Sequence, residues 1–281
     1  MPELDQPVLD QLDGWPVDSV SAAVVVGGEV VARHGDAGRV YRLASVTKLL
    51  SAYAVLVAVE EEAVTLDRPA GPPGSTVAHL LAHAAGLAFD AADGDTVAIE
   101  AGVGEKRIYS NAGFAVLADE VATATGIGFA DYLHEAVCVP LGLGSTALTG
   151  PAGHGAESSV DDLAVFAAEL LAPRLLAAST VAEATSVQFP GLDGFVPGYG
   201  RHRPNDWGFG MEIRAEKSPH WTGASNSPAT FGHFGQSGTF LWVDPTIDAA
   251  CVVLTDRDFG AWAKPLWSEF NDDVVAAIHD R

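Results

Sequence analysis

Basic residues are scarce in this chain. Lysine and arginine number 15 against 37 acids in 281 residues, a formal charge of −22. So acidic a surface repels phosphate backbones and anionic lipid heads, so neither nucleic-acid nor membrane-surface binding is expected. Cysteine is also rare, with only Cys138 and Cys251. That excludes a disulfide-dense scaffold; two buried free thiols are the simplest reading and a single disulfide is the alternative. Long apolar runs are missing too. The longest candidate, residues 52–59, stops at Glu60, Glu61 and Glu62, well short of the roughly 20 residues a membrane span needs. The opening MPELDQPVLDQLDGW is acidic and lacks the basic-then-apolar order of a signal peptide, so a cytoplasmic protein is expected.

What is present points to a folded chain. Hydrophobic residues make up 48%, enough for a sizeable core. SVSAAVVV and EVVARHG flank Gly27-Gly28 and predict a hairpin. The stretch from Ser45 to Val59 is apolar almost all round, and its length predicts a helix buried on most sides. TVAHLLAH, AGFAVLADEVATAT, FADYLHEAV and VDDLAVFAAELL carry helical periodicity between Gly/Pro breaks. Beyond Pro190-Gly191, WGFGMEIR, GTFLWVDP and AACVVLTD read as strands, and WSEFNDDVVAAIHD as a closing helix. The order predicts an α/β (α+β) architecture: one sheet shared by both chain ends, flanked by helices, with a helical part inserted. The expected division is a sheet subdomain of residues 1–60 plus 171–281 and a helical subdomain of 61–170, together one catalytic unit.

Several stretches could carry chemistry. HFGQSGT at 233–239 places Ser237 between glycines, in the manner of a trypsin-like nucleophile. The long helical middle does not suit that double-barrel fold, and Thr239 occupies the last glycine position of a nucleophile elbow. His79 and His83 share a helix face at i, i+4 and could hold zinc, but Leu80 stands where HExxH has glutamate. Ser45 and Lys48 are a stronger pair. The chain has four lysines, and only Lys48 has a serine three positions before it. Spacing i, i+3 puts both on one helix face. Burial in the most apolar helix would lower the lysine pKa and make it a base beside a nucleophile; the alternative is a lysine that snorkels to water. Tyr109-Ser110-Asn111 adds a phenol that can relay a proton and an amide that can orient the lysine or a substrate carbonyl. The alternative there is a loop tyrosine followed by Asn111 as a helix cap.

Ser45-x-x-Lys48, then Tyr109-x-Asn111, then a strand bearing His233-x-Gly235: this order resembles the serine β-lactamase and penicillin-binding-protein superfamily. The likeness is nearest to class C β-lactamases and to the related carboxylesterases and D-aminopeptidases. It extends over TVAHLLAHAAGL, RIYSNAGFAVLADEVATATG, YLHEAVCVPLGL and GHFGQSGTFLWVDP, from about residue 20 to 255. It implies a β-lactamase/transpeptidase-like fold and an acyl-enzyme on Ser45. Lys48 and Tyr109 would share the proton transfers, with either as the base. Asn111 would contact the substrate, and the backbone N–H groups of Ser45 and Gln236 would form an oxyanion hole. No metal or organic cofactor is implied, and the partner is a small ester, amide or lactam.

One motif departs from the family. Its third motif is Lys-Thr-Gly in the β-lactamases and peptidases proper; His233, Phe234 and Gly235 stand there here. A fixed cation becomes a titratable imidazole, and a phenyl ring replaces a hydroxyl. This favours a small ester or amide over β-lactamase or D-alanyl-D-alanine carboxypeptidase activity, which are the alternatives. A non-catalytic binding protein of the same fold is another. Arg201-His202-Arg203 is expected either to receive an anionic substrate group at the cleft or to lie in a solvated loop.

Overall fold

A computed structural model describes residues 7–90 and 97–281. Its centre is a six-stranded antiparallel sheet. Strands β1 (Val20–Val26) and β2 (Glu29–His34) form the hairpin about Gly27-Gly28; β3 (Glu212–Ile213), β4 (Phe231–Gly235), β5 (Thr239–Asp244) and β6 (Ala249–Thr255) come from the far end of the chain. The order is β2-β1-β6-β5-β4-β3. β1 pairs with β6 in unbroken register from Val20–Thr255 to Val26–Ala249, which joins the two chain ends as expected. The stretch WGFGMEIR yields only the short β3. Gly210 turns with φ of 76°, and only Trp207 pairs outside the strand, bridging to Glu212.

Five helices frame the site: α1 (Thr47–Glu60), α2 (Val77–Leu81), α3 (Asn111–Thr125), α4 (Val160–Leu171) and α5 (Ala263–His279). Alternation along the strands divides the core. Ala23, Val25, Leu241, Val243, Val252 and Leu254 face α1, α4 and the helical part. Ala22, Val24, Phe240, Trp242, Cys251 and Val253 face the other way, onto Trp267, Phe270 and Val274 of α5. Residues 47–58 of α1 are buried without a break, so this helix runs through the core. Both cysteines are buried and free.

α4, which the sequence places among the helices of 61–170, packs on β1, β5 and β6. Its apolar stripe, with Leu163, Phe166, Ala167 and Leu170 buried, lies against the sheet. Among the described residues no single helix is long and apolar enough to cross a membrane.

Candidate active site

The chain enters α1 through a strained turn. Ala44 has φ of 45°, a left-handed conformation that costs a non-glycine residue about 1–2 kcal/mol. It opens a short 3₁₀ turn, Ala44–Val46, that carries Ser45 ahead of α1. The first N–H groups of such a turn have no partner within it. The turn from β4 to β5 and the first residue of β5 clamp it from the sheet side. Thr239 Oγ1 donates to Leu43 O at 2.9 Å and Ser237 Oγ to Arg42 O at 2.6 Å. The approach is close enough to need glycine: a Cβ on Gly235 would run into the Leu43 carbonyl and Thr239 Oγ1. Ser237 lies in the turn after β4, not on the strand. Its hydroxyl holds the entry to Ser45, and strand alternation does not describe its direction.

Lys48 lies below Ser45 on α1 and is fully buried. Its Nζ donates to Asn111 Oδ1 at 2.5 Å and to Gly153 O at 2.7 Å. It makes no salt bridge among the described residues, and burial holds its pKa well below the usual lysine range, with Asp90 pulling the other way. Two more α1 hydroxyls fix the loop that supplies Gly153. Thr47 Oγ1 accepts from Ala156 N at 3.0 Å, and Ser51 Oγ donates to Ala152 O at 2.7 Å. Lys48 and Ser51 are i, i+3, so one face of α1 holds this loop through two bonds.

Tyr109 stands on the other side of the ammonium, with Nζ 4.5 Å from its ring centroid. Arg107 anchors its loop, with the guanidinium donating to the carbonyls of Ala82, Gln188, Phe189 and Asn205. The buried Tyr109 hydroxyl makes no aligned hydrogen bond among the described residues. Burial raises its pKa strongly; nearby Ser45 opposes this as a hydrogen-bonding neighbour but does not close a well-aligned bond. Ser110, not Asn111, caps α3: its Oγ accepts from Gly113 N at 3.0 Å. Asn111 is therefore free to bridge inward, accepting from Lys48 and donating from Nδ2 to Asp90 Oδ2 at 3.2 Å.

The β4 residues divide by face. His233 points to the site and packs 5.6 Å from Tyr109, centroid to centroid. Phe234 points the opposite way, into the core around Tyr199, Trp221, Phe259 and Trp267, so its ring does not stand at the site as expected. Nor is His233 a replacement cation. Burial, with the Lys48 charge second, lowers its pKa to about 3. Its Nδ1 donates to Phe234 O at 2.6 Å, which leaves Nε2 as a buried acceptor without a partner among the described residues. The Gln236 carbonyl accepts from Phe259 N at 2.7 Å and Gly238 N donates to Gly235 O, leaving the Gln236 N–H uncommitted in this turn.

The two histidines of α2 and its end serve different neighbours. His79 pairs with Thr76 Oγ1 at 2.8 Å and stacks on Phe189. His83 lies buried under Tyr109 and Trp207, its Nδ1 accepting from Ser110 N at 3.2 Å. Burial, with Lys48 and Arg107 adding to it, holds its pKa well below the usual histidine value. Arg201 borders a cleft of about 410 Å³ that Tyr109 also lines. It pairs there with Asp193, as does Arg203. His202 is buried.

The structure thus brings Ser45, Lys48, Tyr109, Asn111 and His233 together, with Gly235 against the Ser45 turn and Gln236 following it in the chain. Sequence reasoning missed Asp90, the roof at Gly153 and the role of His83. The hydroxyls of Thr47 and Ser51 inside an otherwise apolar helix were the available signal.

The β-lactamase family model matches residues 14–276. The chain belongs to the β-lactamase family. A β-lactamase from Mycobacterium bovis is 58% identical, with TM-score 0.93 over 96% of this chain and 99% of that one. The octameric penicillin-binding protein homologue from Pyrococcus abyssi shares the fold at 18% identity, with TM-score 0.74 over 96% of this chain and 76% of its own. EstCE1, a hydrolase with promiscuous acyltransferase activity, shares it at 17%, with TM-score 0.74 over 95% and 96%. No curated protein matches. As a β-lactamase-family member the chain is a serine hydrolase.

Proposed function

We propose that the chain cleaves a small ester or amide through an acyl-enzyme on Ser45. The observation that carries this is the setting of Lys48, which is buried and has its pKa held well below the usual lysine range. Its neutral form, the one that can act as a base, has two hydrogens and one lone pair. Both hydrogens are committed, to Asn111 and Gly153. The lone pair of that form remains, three residues on from Ser45, which the 3₁₀ turn carries just ahead of α1. Tyr109, with its pKa raised, is a neutral phenol and not a competing base. Lys48 is therefore the base and Tyr109 a proton carrier.

In the reaction, Ser45 Oγ bonds to the acyl carbon while its proton passes to Lys48. The resulting oxyanion lies against the N–H groups of Ser45 and Gln236, each worth about 10²–10³ in rate. The carbon–oxygen or carbon–nitrogen bond then breaks, and the leaving group takes the Lys48 proton by way of Tyr109. Water, deprotonated by the same amine, attacks the acyl-enzyme. The acid departs and Ser45 recovers its proton.

Lactam hydrolysis is the second reading, favoured by the name of the Mycobacterium bovis relative. A parallel assay of short-chain aryl esters, D-amino-acid amides and nitrocefin separates the two, with Ser45→Ala as control. Ser45-dependent turnover of an ester or amide above nitrocefin supports the proposal. Turnover that survives Ser45→Ala, or ligand-induced thermal shifts without any turnover, would refute it.

A further inference from the structure

One cleft gathers several of the few basic residues in this acidic chain. The cleft beside Tyr109 is walled by Lys106, Arg107 and Arg201, with Glu100 and Asp193 as its acids. Asp193 is already shared between Arg201 and Arg203. Arg107 is buried, and among the described residues its guanidinium bonds only to backbone carbonyls. Lys106 is exposed and forms no ion pair among the described residues. The lining thus holds three basic side chains against two acids, in a chain of formal charge −22.

The same cleft is aromatic. Phe89 and Phe195 line it while 51% and 64% exposed. Phe89 stacks on Tyr109 at 5.9 Å. Rings left this open beside a reacting centre gain by covering a flat apolar group. A volume of about 410 Å³ holds more than a methyl or ethyl group.

The side of the substrate follows from Tyr109. A group that hands a proton to the leaving atom stands on the leaving-group side of the scissile bond. We infer that the leaving group is an aromatic alcohol or amine carrying a carboxylate or similar anion, its ring between Phe89 and Phe195 and its anion at Lys106 and Arg201. This rests on the acyl-enzyme reading above. It places the anion on a different wall from β4, where His233 is buried and neutral.

The test compares the acetyl ester of 4-hydroxyphenylacetate with the same compound as its methyl ester. The two share ring and acyl group and differ in one negative charge. The carboxylate form is expected to have a kcat/KM at least about tenfold higher, as charge-assisted bonds are worth that much. The preference shrinks as salt is added. Lys106→Ala and Arg201→Ala, both at exposed positions, each lower the ratio, and the double variant brings it near one. Ser45-dependent turnover of both esters at equal kcat/KM, or a preference that survives the double variant, overturns this inference alone. Absence of Ser45-dependent turnover of either ester overturns the hydrolase reading and this one with it.

Discussion

His233→Asn tests whether the histidine of the third motif is a neutral structural acceptor or a cation for substrate. In the folded protein its pKa falls from 6.5 to about 3 because the ring is buried, with Lys48 beside it. Of the other charges that act on it, Glu212 raises the value and Lys217 lowers it. The unfolded chain takes up this proton below pH 6.5 while the folded chain does not. Acidification therefore favours unfolding from about pH 6.5 down to about pH 3, and nothing is lost above pH 6.5. At about 1.36 kcal/mol per unit, one such histidine costs roughly 2 kcal/mol of stability at pH 5. Asparagine keeps a donor for Phe234 O but cannot titrate. The assay is urea unfolding of both proteins at pH 7 and pH 5, read as the change in ΔG between the two. Wild type is expected to lose about 2 kcal/mol more than the variant on going to pH 5. Equal losses would mean that His233 is protonated in the folded state, and the neutral-acceptor account would fall.

Two further perturbations address the nucleophile. The pH profile of acylation should rise through the Lys48 pKa, well below the usual lysine range; Asp90→Asn removes a charge that raises it and should move the rising limb to lower pH. A stopped-flow burst measured against pH checks this, and a limb that stays put or moves up contradicts it. Gly235→Ala puts a methyl against the Leu43 carbonyl and within 3.2 Å of Ala44 Cβ. Overpacking of this kind costs about 1–3 kcal/mol, and displacement of the Ser45 turn should lower acylation more than stability alone explains; thermal melts and burst rates on the same sample separate the two effects.

Much of the architecture was legible because it rests on local patterns. The Gly27-Gly28 hairpin, the unbroken apolar run of α1 and the periodic runs that became α3, α4 and α5 all announce themselves within a few residues. What failed to show depends on contacts far apart in sequence. The stripe of α4 reads as a helix, but nothing in it says whether helices or the sheet will cover it. Alternation puts His233 and Phe234 on opposite faces without saying which face holds the site. The cap shifts by one residue, from Asn111 to Ser110, because the Asn111 side chain is drawn inward to Lys48 from 63 positions away. The same holds for charge state. A lysine three residues after a serine suggests a base, but its two committed N–H bonds come from Asn111 and from the Gly153 loop. His83 looked like half of a zinc pair, and its role under Tyr109 depends on Trp207 and Ser110.

The central claim is that Ser45 becomes acylated. Mixing the protein with a fluorophosphonate or a penicillin, quenching in acid and mapping the added mass by peptide mass spectrometry tests it directly. The account predicts one adduct, on the peptide carrying Ser45, and none in Ser45→Ala. An unlabelled wild type, or an adduct on the peptide carrying Ser237, would contradict it.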